Sequence, residues 1–300
     1  MESMREIRNR ISSIQKTMKI TNAMYLMASA KMKRARKMLA ASEPYFSKLQ
    51  DTISDILHHT HSTSSGYFEA TRETSPDKSR KAYIVITSDR GLAGAYNHNV
   101  IKLTESQLLK SEKNELLFVG SAGLRYFRRL PQLAFINEDQ VYEAVEPTLY
   151  RARSIAEYVV DGYRKRRLTE IYIVFTKMQN ALTAETEILQ LLPMTDDMFP
   201  VRKAVQKKSE RDYEELYDPS PKEVLNQLVP NYVKGLIYGA MIESYASEQN
   251  ARMLAMDNAT KNGKELVEKF SLLYNQLRQS AITTELSEVI GGAGALEEQQ

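Results

Sequence analysis

The 300-residue chain has no cysteine and no tryptophan. Without thiols there is no disulfide, no cysteine nucleophile, no cysteine-held zinc and no thiol redox switch. Long apolar runs are missing too. The longest, Ala23 to Ala28, has six residues, against the ~20 that a membrane-spanning helix needs. No glycine precedes Gly66 and no proline precedes Pro44, so nothing upstream of Pro44 breaks a helix. The Arg-rich, acid-poor start has the composition of an organellar transit peptide, but its apolar pattern continues unbroken past residue 40. No apolar stretch follows the first arginines, which excludes a secretory signal. The chain is therefore expected to work in the compartment where it is made. Net charge is only +3 with 42% hydrophobic residues, so wholesale disorder is excluded. The small net charge hides a polarity. Residues 1–40 carry ten Lys/Arg against two Glu, net +8, and residues 243–300 carry five Lys/Arg against nine Asp/Glu, net −4.

What is present is periodic. Ile7, Ile11, Ile14, Met18, Thr21, Tyr25, Ala28, Met32, Ala35 and Leu39 step by four and three, the a/d seam of a coiled coil with one polar member, Thr21. Pro44 is expected only to kink this helix, because Leu49, Ile53, Ile56 and Leu57 resume helical spacing. A linker is expected over His59–Gly66 and the Ser75–Lys78 turn. From about Pro221 a second long helical pattern begins. Ile242, Ala246, Gln249, Met253, Met256, Thr260, Gly263, Val267, Phe270, Tyr274, Leu277 and Ala281 form its seam, and Gly291-Gly292-Ala293-Gly294 reads as its stop. Complementary seams in two end segments of opposite charge predict an antiparallel coiled coil, a rod on a small base.

The middle reads differently. Ala82–Thr87, Leu116–Gly120 and Ile171–Thr176 are short apolar runs typical of strands buried on both faces. Helical patterns lie between them over 99–111, 122–130 and 147–166, and Glu185–Leu192 is a candidate further strand. The fold class is therefore α/β: a long antiparallel coiled coil of the N- and C-terminal helices plus a central open, largely parallel (Rossmann-like) α/β domain. The divisions expected are 1–60 and 210–295 for the helices and 78–195 for the central domain.

Candidate chemistry is sparse. Ser88-Asp89-Arg90-Gly91-Leu92-Ala93-Gly94 follows the first strand, where α/β proteins place ligand loops. It lacks the Lys-Ser/Thr pair of a phosphate loop, which favours a tight turn. Gly120-Ser121-Ala122-Gly123 opens a helix, where a phosphate is physically possible and a plain helix start is favoured. His58, His59 and His61 cluster, but no nearby carboxylate completes a metal-ligand set with them, and His98 has no nucleophile or acid in a motif with it. Asp196-Asp197 and Glu214-Glu215 fall in polar connections. No catalytic, cofactor-binding or metal-binding residue is assigned. The basic cluster Lys31, Lys33, Arg34, Arg36 and Lys37 suits nucleic acid, anionic lipid, a solvated face or, best motivated, acidic loops of a surrounding protein. Gly235-Leu-Ile-Tyr-Gly239 permits close helix approach and reads as packing.

Several segments carry a resemblance. Ile20-Thr21-Asn22-Ala23-Met24, Ala30-Lys31-Met32, Thr87-Ser88-Asp89-Arg90-Gly91-Leu92 and Ala251-Arg252-Met253-Leu254-Ala255-Met256-Asp257-Asn258-Ala259-Thr260 resemble the ATP synthase gamma-subunit family. Tyr274-Asn275, Arg278-Gln279, Ile282-Thr283-Thr284-Glu285-Leu286 and Gly291-Gly292-Ala293 continue the likeness in order. It departs where Ala93-Gly94-Ala95 replaces Cys-Gly-Gly, where Asn22 replaces a common Lys, and in lacking the cysteine-bearing insert of chloroplast members. Residues Glu297 to Gln300 extend past the usual end with no function assigned.

The resemblance implies the central stalk of a bacterial F-type enzyme, one copy per complex. Its coiled coil would sit inside the alpha and beta hexamer, and its base would contact the epsilon subunit and membrane c-ring. Such a chain is peripheral to the cytoplasmic face of the plasma membrane, without nucleic acid, cofactor or direct membrane insertion. It carries torque but no catalytic residues. Met24 and Arg252 would lie where the helices cross near the rotor–stator contact, and Arg278, Gln279, Thr283 and Glu285 near the upper bearing. Two other classes stay open on the residues alone: an α/β nucleotide-binding enzyme with coiled-coil arms, and a basic coiled-coil adaptor on nucleic acid, which would bind DNA with steep salt dependence.

Overall fold

The computed structural model describes residues 3–59, 66–68, 80–110, 113–180, 183–195, 198–199, 217–218 and 220–297. The expected Ser75–Lys78 turn, His61, Asp196-Asp197, Glu214-Glu215 and residues 298–300 lie outside them. Five helices and five strands run through the described residues, alternating as far as β4: α1 (Met4–His59), β1 (Arg80–Ile86), α2 (Tyr96–Leu108), β2 (Asn114–Val119), α3 (Ser121–Phe127), β3 (Phe135–Tyr142), α4 (Leu149–Arg164), β4 (Leu168–Met178), β5 (Ala184–Leu192) and α5 (Pro221–Glu297). They divide into two compact units, Met1–Ala28 with Arg252–Gln300, and Ser29–Ala251.

In the first unit the seam pairs α1 with α5 antiparallel. The Thr21 and Thr260 hydroxyls meet at 2.7 Å, so the polar seam members satisfy each other. Moving back along α1 moves forward along α5. Gly263 faces Met18, and a Cβ there would lie 2.6 Å from its Cγ. The Arg10 guanidinium stands 5.9 Å over the Phe270 ring. Ile7 is fully buried.

The second unit is a three-layer α/β domain. Its sheet has the order β3-β2-β1-β4-β5. The first four strands are parallel and β5 is antiparallel to β4, as a short hairpin connection requires. Side chains alternate across β1: Ala82, Ile84 and Ile86 pack against α4, α5 and Ile53 and Ile56 of α1, while Tyr83 and Val85 join Val100, Leu124 and Phe127 of α2 and α3. Helix α4 owes its place to Ala152, Ile155, Ala156, Val159 and Tyr163, one apolar face. Its N-terminus is capped by Thr148, whose side chain accepts from the Arg151 N–H. Here too α1 and α5 pair: Ala35 packs with Ile242 and Ala246. A Cβ on Gly235 would lie 2.1 Å from the Phe46 ring, so the expected close approach is real at Gly235. Gly239 has nothing within 4 Å and is not part of it.

The structure departs from the sequence reading at two places. Strand β3 was not foreseen, because FINEDQVY is a half-exposed edge strand with no apolar run. Pro44 does not end α1, which runs on to His59 as the resumed spacing predicts. The Gly291–Gly294 run does not stop α5, which continues to Glu297. Glycine costs a helix about 1 kcal/mol per residue against alanine, a penalty rather than a break. No helix among the described residues is long and apolar enough to cross a membrane.

Candidate functional site

In an open sheet of this order the ligand crevice opens at the carboxyl ends of β1 and β4, where the strand order reverses. Both sequence loops reach that edge. Asp89 closes it from within: its carboxylate accepts from the Ser121 N–H at 2.9 Å and from the Ala144 N–H at 2.7 Å. The anion place at the start of α3 is thus taken by the protein's own carboxylate. Asn97 accepts from the Ser88 N–H and donates to the Ser88 hydroxyl, and that hydroxyl donates to the Arg90 carbonyl at 2.7 Å. Gly120 adopts φ +95, Gly94 φ +54 and Leu92 φ +65. Leu92 and Gly94 thus hold turn conformations, as the sequence favoured there, and Gly120 is the N-cap of α3, the helix start favoured at that position.

Helix α5 covers these carboxyl ends from the other side: at β4 the Thr176 N–H donates to Ser244 Oγ and Ser247 Oγ donates to the Thr176 carbonyl, both at 3.0 Å. Met241, Tyr245 and Glu248 of α5 stand against Ile86, Thr87 and Val119 around a cavity of only about 10 Å³, room for about one water. A nucleotide has no space there. Among the described residues no cluster of His, Asp or Glu could hold a metal. His58 Nε2 lies 2.8 Å from the Phe199 carbonyl oxygen, and His98 is exposed on α2.

The second candidate site is the helix pair itself. Every seam residue read from the sequence on α1 and α5 is buried or half-buried. Met24 and Arg252 are both half-buried in the first unit. The Thr21–Thr260 pairing sets Met24 level with Asp257, and Arg252 about 7.5 Å further along at ~1.5 Å per residue. Asp257 bonds Lys261 at 2.7 Å, and this contact raises the lysine's pKa. Arg278, Gln279, Thr283 and Glu285 are exposed on α5, and the Thr283 hydroxyl donates to the Gln279 carbonyl at 2.9 Å. Close by, Ile282, Leu286 and Val289 are 48%, 57% and 69% exposed, an apolar stripe that the sequence reading left out. In the second unit the basic cluster is exposed around buried Ala35, with Arg34 2.8 Å from Glu146.

Because the Thr21 and Thr260 hydroxyls touch, cysteines there should form a disulfide. Thr21→Cys/Thr260→Cys is expected to crosslink rapidly under mild oxidation, with no native thiol competing, while Thr21→Cys/Lys269→Cys should not. Non-reducing electrophoresis reads the result. Equal crosslinking of both pairs would contradict the register.

Sequence reasoning missed the roles of Asp89, Ser244 and Ser247. Each is a single polar residue whose meaning depends on a distant backbone, so no local pattern announces it.

A family model described as ATP synthase matches residues 3–296. The ATP synthase gamma chain of Ruminiclostridium cellulolyticum is 45% identical over 297 residues, 98% of this chain and 99% of that one. The sodium ion specific ATP synthase gamma chain of Acetobacterium woodii is 36% identical, covering 98% and 99%. Among solved structures, a chain of the Euglena gracilis mitochondrial ATP synthase, in an OSCP/F1/c-ring assembly, aligns with TM-score 0.63 at 18% identity, covering 98% of this chain and 94% of that one. A chain of the Tetrahymena thermophila mitochondrial ATP synthase central stalk and c-ring aligns with TM-score 0.53 at 22% identity, covering 80% and 99%.

Proposed function

The chain belongs to the ATP synthase gamma-chain family, and from that premise we propose how its structure serves as the central rotor stalk of the F1 sector. The observation that carries the reading is self-pairing. Helices α1 and α5 satisfy each other's seams, down to the Thr21–Thr260 contact, so the shaft is stiff without help from a sleeve. Its outer faces are then free to make light contacts. A shaft held tightly at one angle could not turn. Half-buried methionines such as Met18, Met24 and Met32 suit close contacts that slide.

The partners follow the role. One copy would turn within three alpha and three beta subunits, with the epsilon subunit and the membrane c-ring at the α/β domain. The enzyme would sit on the cytoplasmic face of a bacterial plasma membrane. The working divisions are the helices over 1–60 and 210–295 and the α/β domain over 78–195. The shaft's asymmetry biases the conformation of each beta subunit, so rotation is linked to nucleotide release and binding. Met24 and Arg252 would act at the rotor–stator contact. Arg278, Gln279, Thr283 and Glu285 would act at the upper bearing, where the neighbouring stripe of Ile282, Leu286 and Val289 is exposed. The filled crevice argues against a nucleotide-binding enzyme with coiled-coil arms.

The test is Met24→Lys. A new charge beside acidic loops of the beta subunits would add about 1–3 kcal/mol when partly desolvated. It would do so at some rotor angles only, which raises the barrier to rotation. Assembly should stay intact while ions pumped per ATP hydrolysed fall, and Met24→Leu should behave as wild type. Both activities are read on the same reconstituted enzyme. An unchanged ratio in both variants would make Met24 ordinary packing.

A further inference from the structure

Strand β4 outruns its neighbour. Its pairing with β1 ends at Val85 opposite Val174, yet β4 continues to Met178, held on the other side by β5. Backbone groups alternate in direction along a strand, so residues 176 and 178 address the same edge. That edge is met by α5. The Thr176 N–H donates to Ser244 Oγ at 3.0 Å, and Ser247 Oγ donates to the Thr176 carbonyl at 3.0 Å. The Met178 N–H donates to the Glu243 carboxylate, whose pKa burial raises. Ser244 and Ser247 are 0% and 1% exposed. One turn of helix thus completes the ladder that β1 leaves unfinished.

Apolar packing between helix and sheet is non-directional. Hydrogen bonds between a helix side chain and a strand backbone set both the height and the rotation of the helix. We propose that Glu243, Ser244 and Ser247 form a polar clasp that fastens α5 to β4 and hands torque between the α/β domain and the helix without slip. This rests on the rotor reading above. The three are positioning residues; none touches nucleotide.

The clasp has two readouts. In the full chain, Ser244→Ala should speed hydrogen exchange of the Thr176 amide roughly tenfold, as expected for one lost hydrogen bond. Amides of the Thr21–Thr260 region should be unaffected. In the reconstituted complex, Ser244→Ala/Ser247→Ala should keep near wild-type ATP hydrolysis while ions pumped per ATP fall roughly twofold or more. A purely structural role would lower assembly and leave that ratio alone. Should the double variant fail to fold, Ser247→Ala leaves only an acceptor unpaired and is the milder substitute. Unchanged exchange at Thr176 would overturn the clasp. Faster exchange with an unchanged pumping ratio would overturn its torque role. Failure of the wild-type chain to assemble with alpha and beta subunits would sink the rotor reading and the torque role with it, while the exchange data would still report the clasp.

Discussion

Gly120→Ala is expected to destabilise the α/β domain by about 3–5 kcal/mol, because two penalties fall on one atom. The residue adopts φ +95, and a Cβ would lie 2.1 Å from the Thr87 carbonyl oxygen. Neither can relax cheaply. The Gly120 N–H donates to the Tyr142 carbonyl at 2.7 Å, and the Thr87 hydroxyl accepts from the Gly123 N–H at 3.0 Å. The carboxyl ends of β1, β2 and β3 are thus tied together at this point. Urea unfolding of the full chain reads the effect, with Gly91→Ala as control, since nothing lies within 4 Å of a Cβ there. Equal midpoints for the two variants would contradict the tight crossing.

Arg167→Met is expected to cost about 3 kcal/mol, the lower end for breaking a buried ion pair. Glu115 is only 1% exposed in its side chain and Arg167 is 40% exposed. The guanidinium reaches both carboxylate oxygens at 3.2 and 3.0 Å and lies 4.5 Å over the Tyr158 ring. The Tyr158 hydroxyl donates to the same carboxylate, and Asn137 Nδ2 does so at 3.1 Å. These two donors keep the loss from being larger. Glu115→Leu/Arg167→Met should recover part of it, because no buried charge is then left alone. Burial and the Glu115 contact push the Tyr158 phenol up to about 12. A raised folded-state pKa means its contribution is complete below the ordinary value near 10 and is lost as pH rises through about 12. Tyr158→Phe should therefore flatten that stretch of the alkaline stability curve.

The helices were legible because their signal is repetitive: Ile7 through Leu39 repeat one environment, and each supports the next. The buried strands β1, β2 and β4 were legible for a similar reason, since both faces demand apolar residues. Edge strand β3 carries no such demand and stayed hidden. The polar positions were the least legible. Asp89 in a turn, Glu115 at a strand start and Ser244 in a helix are each commonplace locally. Each gains its role from a backbone or guanidinium 32 or more positions away in the chain, at Ser121, Arg167 and Thr176. The Gly291–Gly294 run shows the opposite error, a local stop signal that the helix overrides. At the candidate site the resemblance named the positions, and Met24 and Arg252 fall in one unit, but no hydrophobic period encodes a contact with another subunit.

In a rotary stalk of this kind, this chain is the part that turns. The most direct measurement fixes the alpha and beta hexamer to a surface, attaches a visible probe to this chain through an introduced cysteine, and supplies ATP. The probe is expected to rotate in one direction and in steps, and to stop when the chain is crosslinked to a beta subunit. ATP turnover at the normal rate with the probe stationary and the crosslink without effect would contradict it.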